Sequence, residues 1–178
     1  MKIAAAQLNP TVGDLDGNAR KVVAARTQAA REGADLVVFP ELFITGYPPE
    51  DLVLKPAFQE AARHRVLDLA AQFNDDGPGV LLGTIWVEDG KLYNAVVLLE
   101  KGEVAAVRYK VDLPNYGVFD EKRVFATGPL PGPIAFRGIK IGVPICEDIW
   151  SDEVTECLAE CGAEMLVVPN GSPFDWKK

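Results

Sequence analysis

Three residues of this chain have side chains suited to breaking an amide bond. Glu41, Lys110 and Cys146 each come directly after a stretch that is mainly apolar. A cysteine in a sharp turn after a strand can act as a nucleophile, a glutamate can accept its proton, and a lysine can stabilise an oxyanion. The one histidine, His64, lies in a helical pattern with no motif around it. A carboxylate is therefore the expected base.

The residue types alone leave a second interpretation open at each position. A buried structural cysteine explains Cys146 about as well as a nucleophile does. Glu41 is open to interpretation as a solvated carboxylate, and Lys110 on its own is better explained as a surface lysine at the end of an edge strand. Two carboxylates follow Cys146 in the sequence, and the backbone N–H of the first, Glu147, is placed to face an oxyanion. This turn context favours a nucleophile.

Helices and strands must bring these three positions together. Apolar runs predict eight strands and helical spacing predicts three helices, with Asp16 as the cap of the first helix and Ser151 as the cap of the third. Gly90, Gly102 and Gly138 each lie in a hairpin turn signal. The predicted strands are 2–8, 34–39, 80–87, 92–99, 104–109, 134–136, 140–145 and 165–168, and the predicted helices are 16–32, 55–73 and 151–161. This mixed order predicts an α/β (α+β) fold with a mixed sheet and a long loop over 111–132.

Composition limits the class of protein further. The length of 178 residues suits one domain, and 48% hydrophobic residues can supply a large core. A net charge of −8 argues against nucleic acid or an anionic membrane as a partner. The apolar opening of the chain is too short for a signal peptide, and no segment is apolar enough to span a membrane. The three cysteines are expected to be free thiols in the reducing cytoplasm.

The order Glu41, Lys110, Cys146 resembles the carbon–nitrogen hydrolase (nitrilase) superfamily. Segments 41–52 (ELFITGYPPEDL), 113–123 (LPNYGVFDEKR) and 145–150 (ICEDIW) look like the glutaminase domains of the glutamine-dependent NAD⁺ synthetase family. The resemblance implies a four-layer α-β-β-α nitrilase-type sandwich over residues 1–178 that is incomplete at its C-terminus. A synthetase domain and its phosphate-binding loop are not in this chain.

The same resemblance assigns roles to the residues. Cys146 would be the nucleophile, Glu41 the general base and Lys110 the group that stabilises the oxyanion and lowers the pKa of the thiol. Glu121 would orient the lysine. The residues expected to contact the substrate are Tyr47, Tyr116, Phe119, Glu147 and Ser172.

The resemblance also implies partners and cofactors. The substrate would be L-glutamine, and the ammonia would pass to a synthetase domain of the same polypeptide, in a homo-oligomer. No cofactor is expected in this chain, whereas ATP and Mg²⁺ are expected in the synthetase domain. Cys157 and Cys161 are expected to fill the core, without a metal. The alternatives are a stand-alone amidase acting on another small amide and a non-catalytic regulatory module with the same fold.

Overall fold

The structure is a computed structural model that describes residues 1–172. Its eight strands lie in two sheets, and four α-helices flank them. The strands are β1 (Ile3–Ala5), β2 (Leu36–Val38), β3 (Gly79–Glu88), β4 (Lys91–Glu100), β5 (Glu103–Tyr109), β6 (Ile134–Phe136), β7 (Ile139–Gly142) and β8 (Met165–Leu166). The helices are α1 (Leu15–Arg31), α2 (Pro56–Gln72), α3 (Glu121–Val124) and α4 (Asp152–Glu160).

The first sheet has the order β1-β2-β3-β4-β5 and mixes both pairing directions. Strands β1, β2 and β3 are parallel, whereas β3, β4 and β5 form an antiparallel meander. The turn between β3 and β4 has φ of 49° at Asp89 and 71° at Gly90, and the turn between β4 and β5 has 50° at Lys101 and 87° at Gly102. Positive φ at both positions matches the twist of a two-residue hairpin, so the predicted hairpins are confirmed.

The two faces of this sheet are buried by different layers, because side chains alternate along each strand. Val80 and Leu82 face α1 and α2, in a cluster with Val22 and Leu69 of those helices. The neighbouring Leu81 faces the second sheet. Since both faces are covered, the strands of the first sheet form nearly continuous apolar runs.

The second sheet, β6-β7-β8, packs on the first and carries α4 on its outer side. Phe136 and Ile141 lie in the same buried cluster as Leu81 and Leu98 of the first sheet. On the opposite face, a Cβ atom at Gly142 would lie 3.2 Å from a methyl group of Leu158 in α4, so the helix approaches the strand closely there. The layers are therefore helix, sheet, sheet, helix, and the predicted four-layer sandwich is confirmed.

Several predicted boundaries were wrong in detail. The cap of α1 is Asp14, which accepts a hydrogen bond from Gly17 N–H at 2.8 Å, and not Asp16. The loop over 111–132 contains the short helix α3. Strand β7 ends at Gly142, since residues 143–145 find no ladder partner. None of the helices in the described range has the length and apolar character needed to cross a lipid bilayer.

Candidate active site

Cys146 lies at a strained turn between the two sheets. It opens a 3₁₀ turn, Cys146–Trp150, directly after the extended segment that follows β7. Its φ of 49° is in the left-handed region, which a side chain with a Cβ rarely occupies. The Cys146 backbone N–H donates to the carbonyl of Pro169 at 3.0 Å, so the turn is held against the segment after β8. The predicted turn context of the cysteine is therefore present.

A buried carboxylate ties this turn to the segment that carries Lys110. One oxygen of Asp148 accepts the Ile145 N–H at 2.8 Å, and the other accepts the N–H groups of Val111 and Asp112 at 3.0 and 2.8 Å. Burial raises the pKa of Asp148 to about 6 even though the three N–H groups favour the ionised form. The carboxylate thus fixes the end of β5 relative to the nucleophile turn.

Replacing Asp148 with asparagine is expected to destabilise the fold by about 1–3 kcal/mol. The amide offers one acceptor oxygen where three N–H groups need partners, and an unpaired buried donor has a cost of that size. Urea denaturation at pH 7 measures the change. Glu156→Gln is the matched control, because it also replaces a carboxylate with an amide but at an exposed position on α4. Its free energy of unfolding should stay within about 0.5 kcal/mol of that of the unaltered protein. Equal stability of Asp148→Asn and the control would contradict this role.

Glu41 is placed by the close approach of its segment to β3. Residues 40–42 follow β2, and a Cβ atom at Gly83 would lie 2.2 Å from the Pro40 carbonyl oxygen. Glycine is therefore required at this point of β3. Ile44 N–H donates to the Gly83 carbonyl at 3.1 Å and holds the segment in place. The result is a Glu41 side chain that is fully buried between the sheets.

Lys110 is a completely buried ammonium between two carboxylates. Its Nζ lies 2.6 Å from Glu41 Oε1 and 2.9 and 3.0 Å from the two oxygens of Glu121. Burial alone would lower the pKa of Lys110, but the charges of Glu41 and Glu121 outweigh it and the pKa is raised. The expectation of a surface lysine from the residue type alone was wrong, because the position directly after β5 is fully buried beside Glu41 and Glu121.

Glu121 brings a second carboxylate and a tyrosine to the same cluster. It begins α3 and is buried, and Tyr47 donates its hydroxyl hydrogen to Glu121 Oε1 at 3.0 Å. Burial and the charge of Glu41 raise the pKa of Glu121, whereas Lys110 lowers it. Two carboxylates share one cation here, so one negative charge is left over when all three groups are ionised.

The Cys146 thiol is held in its protonated form. Burial, and then the charge of Glu41, raise its pKa to about 12, while the Gly171 N–H and the charge of Lys110 lower it. We expected the pKa of the thiol to be lowered. Lys110 does lower it, but burial and Glu41 together outweigh the lysine, so the net shift is upward and the expectation was wrong. Its Sγ lies 3.0 Å from Asn170 Oδ1, an arrangement suited to an S–H donor. A neutral thiol beside a carboxylate needs a base in order to react.

The remaining predicted residues form the rim of this cluster. The Phe119 ring lies 5.5 Å from Tyr116 and 6.4 Å from Tyr47, centroid to centroid. Tyr116 is exposed and donates its hydroxyl hydrogen to the carboxylate of Glu147 at 2.7 Å. Ser172 is exposed and donates through both its N–H and its hydroxyl to Asn170, the residue that also contacts Cys146. All nine predicted positions therefore lie around one site.

Two residues of the site were not predicted from the sequence. Asn94, in the middle of β4, donates to Glu41 Oε1 at 2.7 Å and makes a longer contact of 3.4 Å to Glu121 Oε2. Asn170 connects Cys146 with Ser172. A signal for Asn94 was available, since asparagine is disfavoured in strands and it interrupts the apolar run 92–99.

A cleft of about 690 Å³ opens next to the cluster, on the side of Tyr116 and Glu147. The loop after β5 and the turn after Cys146 form its walls, with Lys122 and Trp150 at its edge. The reactive groups themselves lie beside it, at the meeting of the two sheets. Within the described residues, no group of three or more His, Cys, Asp or Glu side chains is arranged to hold a metal ion.

This fold and this site are those of a known class of enzyme. The Carbon-nitrogen hydrolase family matches residues 2–177, and the chain belongs to that family. Over 173 residues, 97% of this chain, it is 48% identical to a glutamine-dependent NAD(+) synthetase from Rhodobacter capsulatus and covers 31% of that protein. The chain thus spans less than a third of the length of this relative.

Solved structures give the same result for the fold. The glutamine-dependent NAD⁺ synthetase from Acinetobacter baumannii, solved with ADP, superposes with a TM-score of 0.88 at 38% identity, over 97% of this chain and 32% of that one. An amidase from Nesterenkonia sp. AN1 superposes with a TM-score of 0.83 at 28% identity, over 99% of this chain and 69% of that one. This chain covers a larger share of the amidase than of the synthetase, because the amidase is the shorter protein.

Proposed function

We propose that this chain hydrolyses the side-chain amide of L-glutamine with Cys146 as the nucleophile. The observation that supports it most is the pairing of a buried, protonated Cys146 with Glu41, whose Oε1 is held by Lys110 while its Oε2 has no partner among residues 1–172. That oxygen is available to take a proton. Similarity over nearly the whole chain to proteins named for their use of glutamine supports the choice of substrate.

The reaction proceeds in two halves. Glu41 takes the thiol proton, the sulfur attacks the amide carbon, and Lys110 and the Glu147 N–H stabilise the oxyanion. Ammonia leaves with the proton from Glu41, which leaves a thioester on Cys146. Glu41 then activates water against the thioester, and glutamate is released with the thiol restored. Glu121 holds Lys110 in place throughout.

The ammonia has a defined use under this proposal. In the protein that contains this chain, a synthetase domain with ATP and Mg²⁺ would amidate deamido-NAD⁺, within a cytoplasmic homo-oligomer. The names of the relatives and the ADP in the Acinetobacter baumannii structure support the nucleotide chemistry of this proposal, whereas the homo-oligomer and the cytoplasmic location stay predictions. Under this proposal, the residues of this chain supply the nitrogen.

A stand-alone amidase is the second candidate. The superposition with the Nesterenkonia sp. AN1 amidase favours it, and a glutamate-to-glutamine mutant of that protein was solved with the product of Michael addition of acrylamide at the active-site cysteine. That adduct also supports the role given to Cys146. The polar rim formed by Tyr116 and Glu147 favours a polar substrate such as glutamine over a small apolar amide.

Labelling with the glutamine analogue 6-diazo-5-oxo-L-norleucine is expected to modify Cys146 and to be prevented by excess glutamine. Intact-mass and peptide analysis locate the adduct. Cys157, half-buried on α4, and Cys161, exposed just after it, do not fill the core as predicted, and the analogue should leave both unmodified because they lie away from Glu41. Acrylamide serves as the comparison reagent. Acrylamide labelling of Cys146 itself that glutamine does not prevent, with no labelling of Cys146 by the analogue, would favour the stand-alone amidase.

A further inference from the structure

Asn94 is a buried polar residue in a row of apolar ones. It lies on β4 opposite Ile85 and on the same strand face as Val96 and Leu98, which pack between the two sheets. Burying an amide in such a place is unfavourable unless it is hydrogen-bonded. Its NH₂ group has the carboxylates of Glu41 and Glu121 as partners, at 2.7 and 3.4 Å from Nδ2, whereas its Oδ1 has no partner among residues 1–172.

The orientation of this amide is set by its neighbours. Ionised carboxylates only accept hydrogen bonds, so the NH₂ group of Asn94 must face Glu41 and Glu121. The backbone of Asn94 is fixed as well, since its carbonyl accepts the Lys110 N–H at 2.9 Å. Asn94 therefore contacts the two carboxylates through its side chain and the backbone of Lys110 through its own backbone.

The effect on Glu41 is to separate its two oxygens. Oε1 accepts from both Lys110 and Asn94, whereas Oε2 has no partner in the described part of the chain and faces Gly171, where a Cβ atom would lie 2.8 Å away. The Gly171 N–H is one of the groups that act on the Cys146 thiol. The free oxygen thus points toward the side on which the thiol lies.

We propose that Asn94 is a positioning residue for amide hydrolysis: it holds one oxygen of Glu41 so that the other is free to take the Cys146 proton. It does so without adding a charge to a site in which two carboxylates already share one lysine. A second cation here would make Glu41 a weaker base, whereas a neutral donor orients it and favours its ionised form only moderately. This inference rests on the proposed function.

The expected result for Asn94→Ala is a fall in kcat for glutamine of about 10- to 100-fold, with KM changed by less than about threefold. Loss of the donor disfavours the ionised carboxylate. The acid limb of kcat/KM should therefore move to higher pH, by about one unit. The titratable groups that face Glu41 and contribute to this limb are Lys110, Glu121, Cys146 and Tyr47.

Asn94→Asp tests the donor without a change of shape. It replaces the NH₂ group with a further carboxylate oxygen, so the acid limb should move up by more than in Asn94→Ala. If Asn94 only fills space, the variant of the same shape should be the milder of the two. Folding of each variant is checked by circular dichroism before the kinetics. If Asn94→Ala does not fold, the acid limb of Asn94→Asp is compared with that of the wild type, where an unmoved limb contradicts the inference.

Asn18→Ala is the matched control. Asn18 is equally buried, but its amide donates to the backbone carbonyls of Thr11 and Ile44. Its loss should lower the melting temperature and leave the acid limb where it is. Folded Asn94 variants with an unmoved limb, beside an active wild type, would overturn the inference alone. A wild type that hydrolyses no glutamine would refute the proposed function and this inference with it.

Discussion

Replacing Cys146 with alanine is expected to abolish glutamine hydrolysis, with a fall in kcat of about four orders of magnitude or more. The reason is geometric. Cys146 is the thiol that lies beside Glu41, whereas Cys157 and Cys161 lie on and after α4, on the outer side of the second sheet. The first half of the reaction therefore has no second thiol at the site to act as the nucleophile. Release of glutamate from glutamine, measured with a coupled dehydrogenase, gives the rate.

The other two cysteines supply the control for this result. Cys157→Ala and Cys161→Ala remove a thiol of the same chemistry from the same chain and should retain the wild-type rate within about twofold. In a protein that also contains the synthetase domain, Cys146→Ala should still form NAD⁺ from added ammonia, because that step does not use the thiol. Glutamine turnover that persists in Cys146→Ala, with ammonia excluded as its source, would remove Cys146 from the mechanism.

Much of this architecture was predictable because its determinants are local. The positive φ values at Gly90 and Gly102 follow from hairpin signals in the sequence, and the nearly continuous apolar run over β3 indicates a strand covered on both faces. The turn at Cys146 follows from an apolar run that stops at a thiol and two carboxylates. Each of these features depends on residues a few positions apart.

The inner geometry of the site was not predictable, because it depends on residues far apart in the chain. Lys110 seemed a surface residue until β5 was placed, and its contact with Glu41 joins residues 69 positions apart. Asn94 acquires a role only when β4 lies beside the segment that carries Glu41. The sign of the shift in the Cys146 pKa depends on burial, which the sequence does not display. Composition and spacing indicate which groups are present, and tertiary packing decides their charge.

Glu41→Gln is expected to reduce kcat by about 10²–10⁴-fold while the protein stays folded. The substitution keeps the shape of the side chain, and the amide oxygen can still accept from Lys110 and Asn94, which both contact Oε1. The changed atom is the one with no partner among residues 1–172, which becomes an NH₂ group that cannot take a proton. Glu60→Gln, an exposed swap on α2, is the control and should leave turnover unchanged.

The same variant should change the thiol in the opposite direction. The charge of Glu41 is the second cause, after burial, of the raised pKa of Cys146, so its removal favours the thiolate and lowers that pKa. Thiolate absorbance near 240 nm, taken as the difference from the matching protein with Cys146→Ala, should therefore appear at lower pH in Glu41→Gln than in the wild type. A variant with more thiolate and far less turnover would show that Glu41 acts by carrying protons and not by promoting ionisation of the thiol at rest. An unchanged thiol pKa would mean that Glu41 is remote from Cys146, and near-normal turnover would direct the search for a base to Glu121, Glu147 or Asp148.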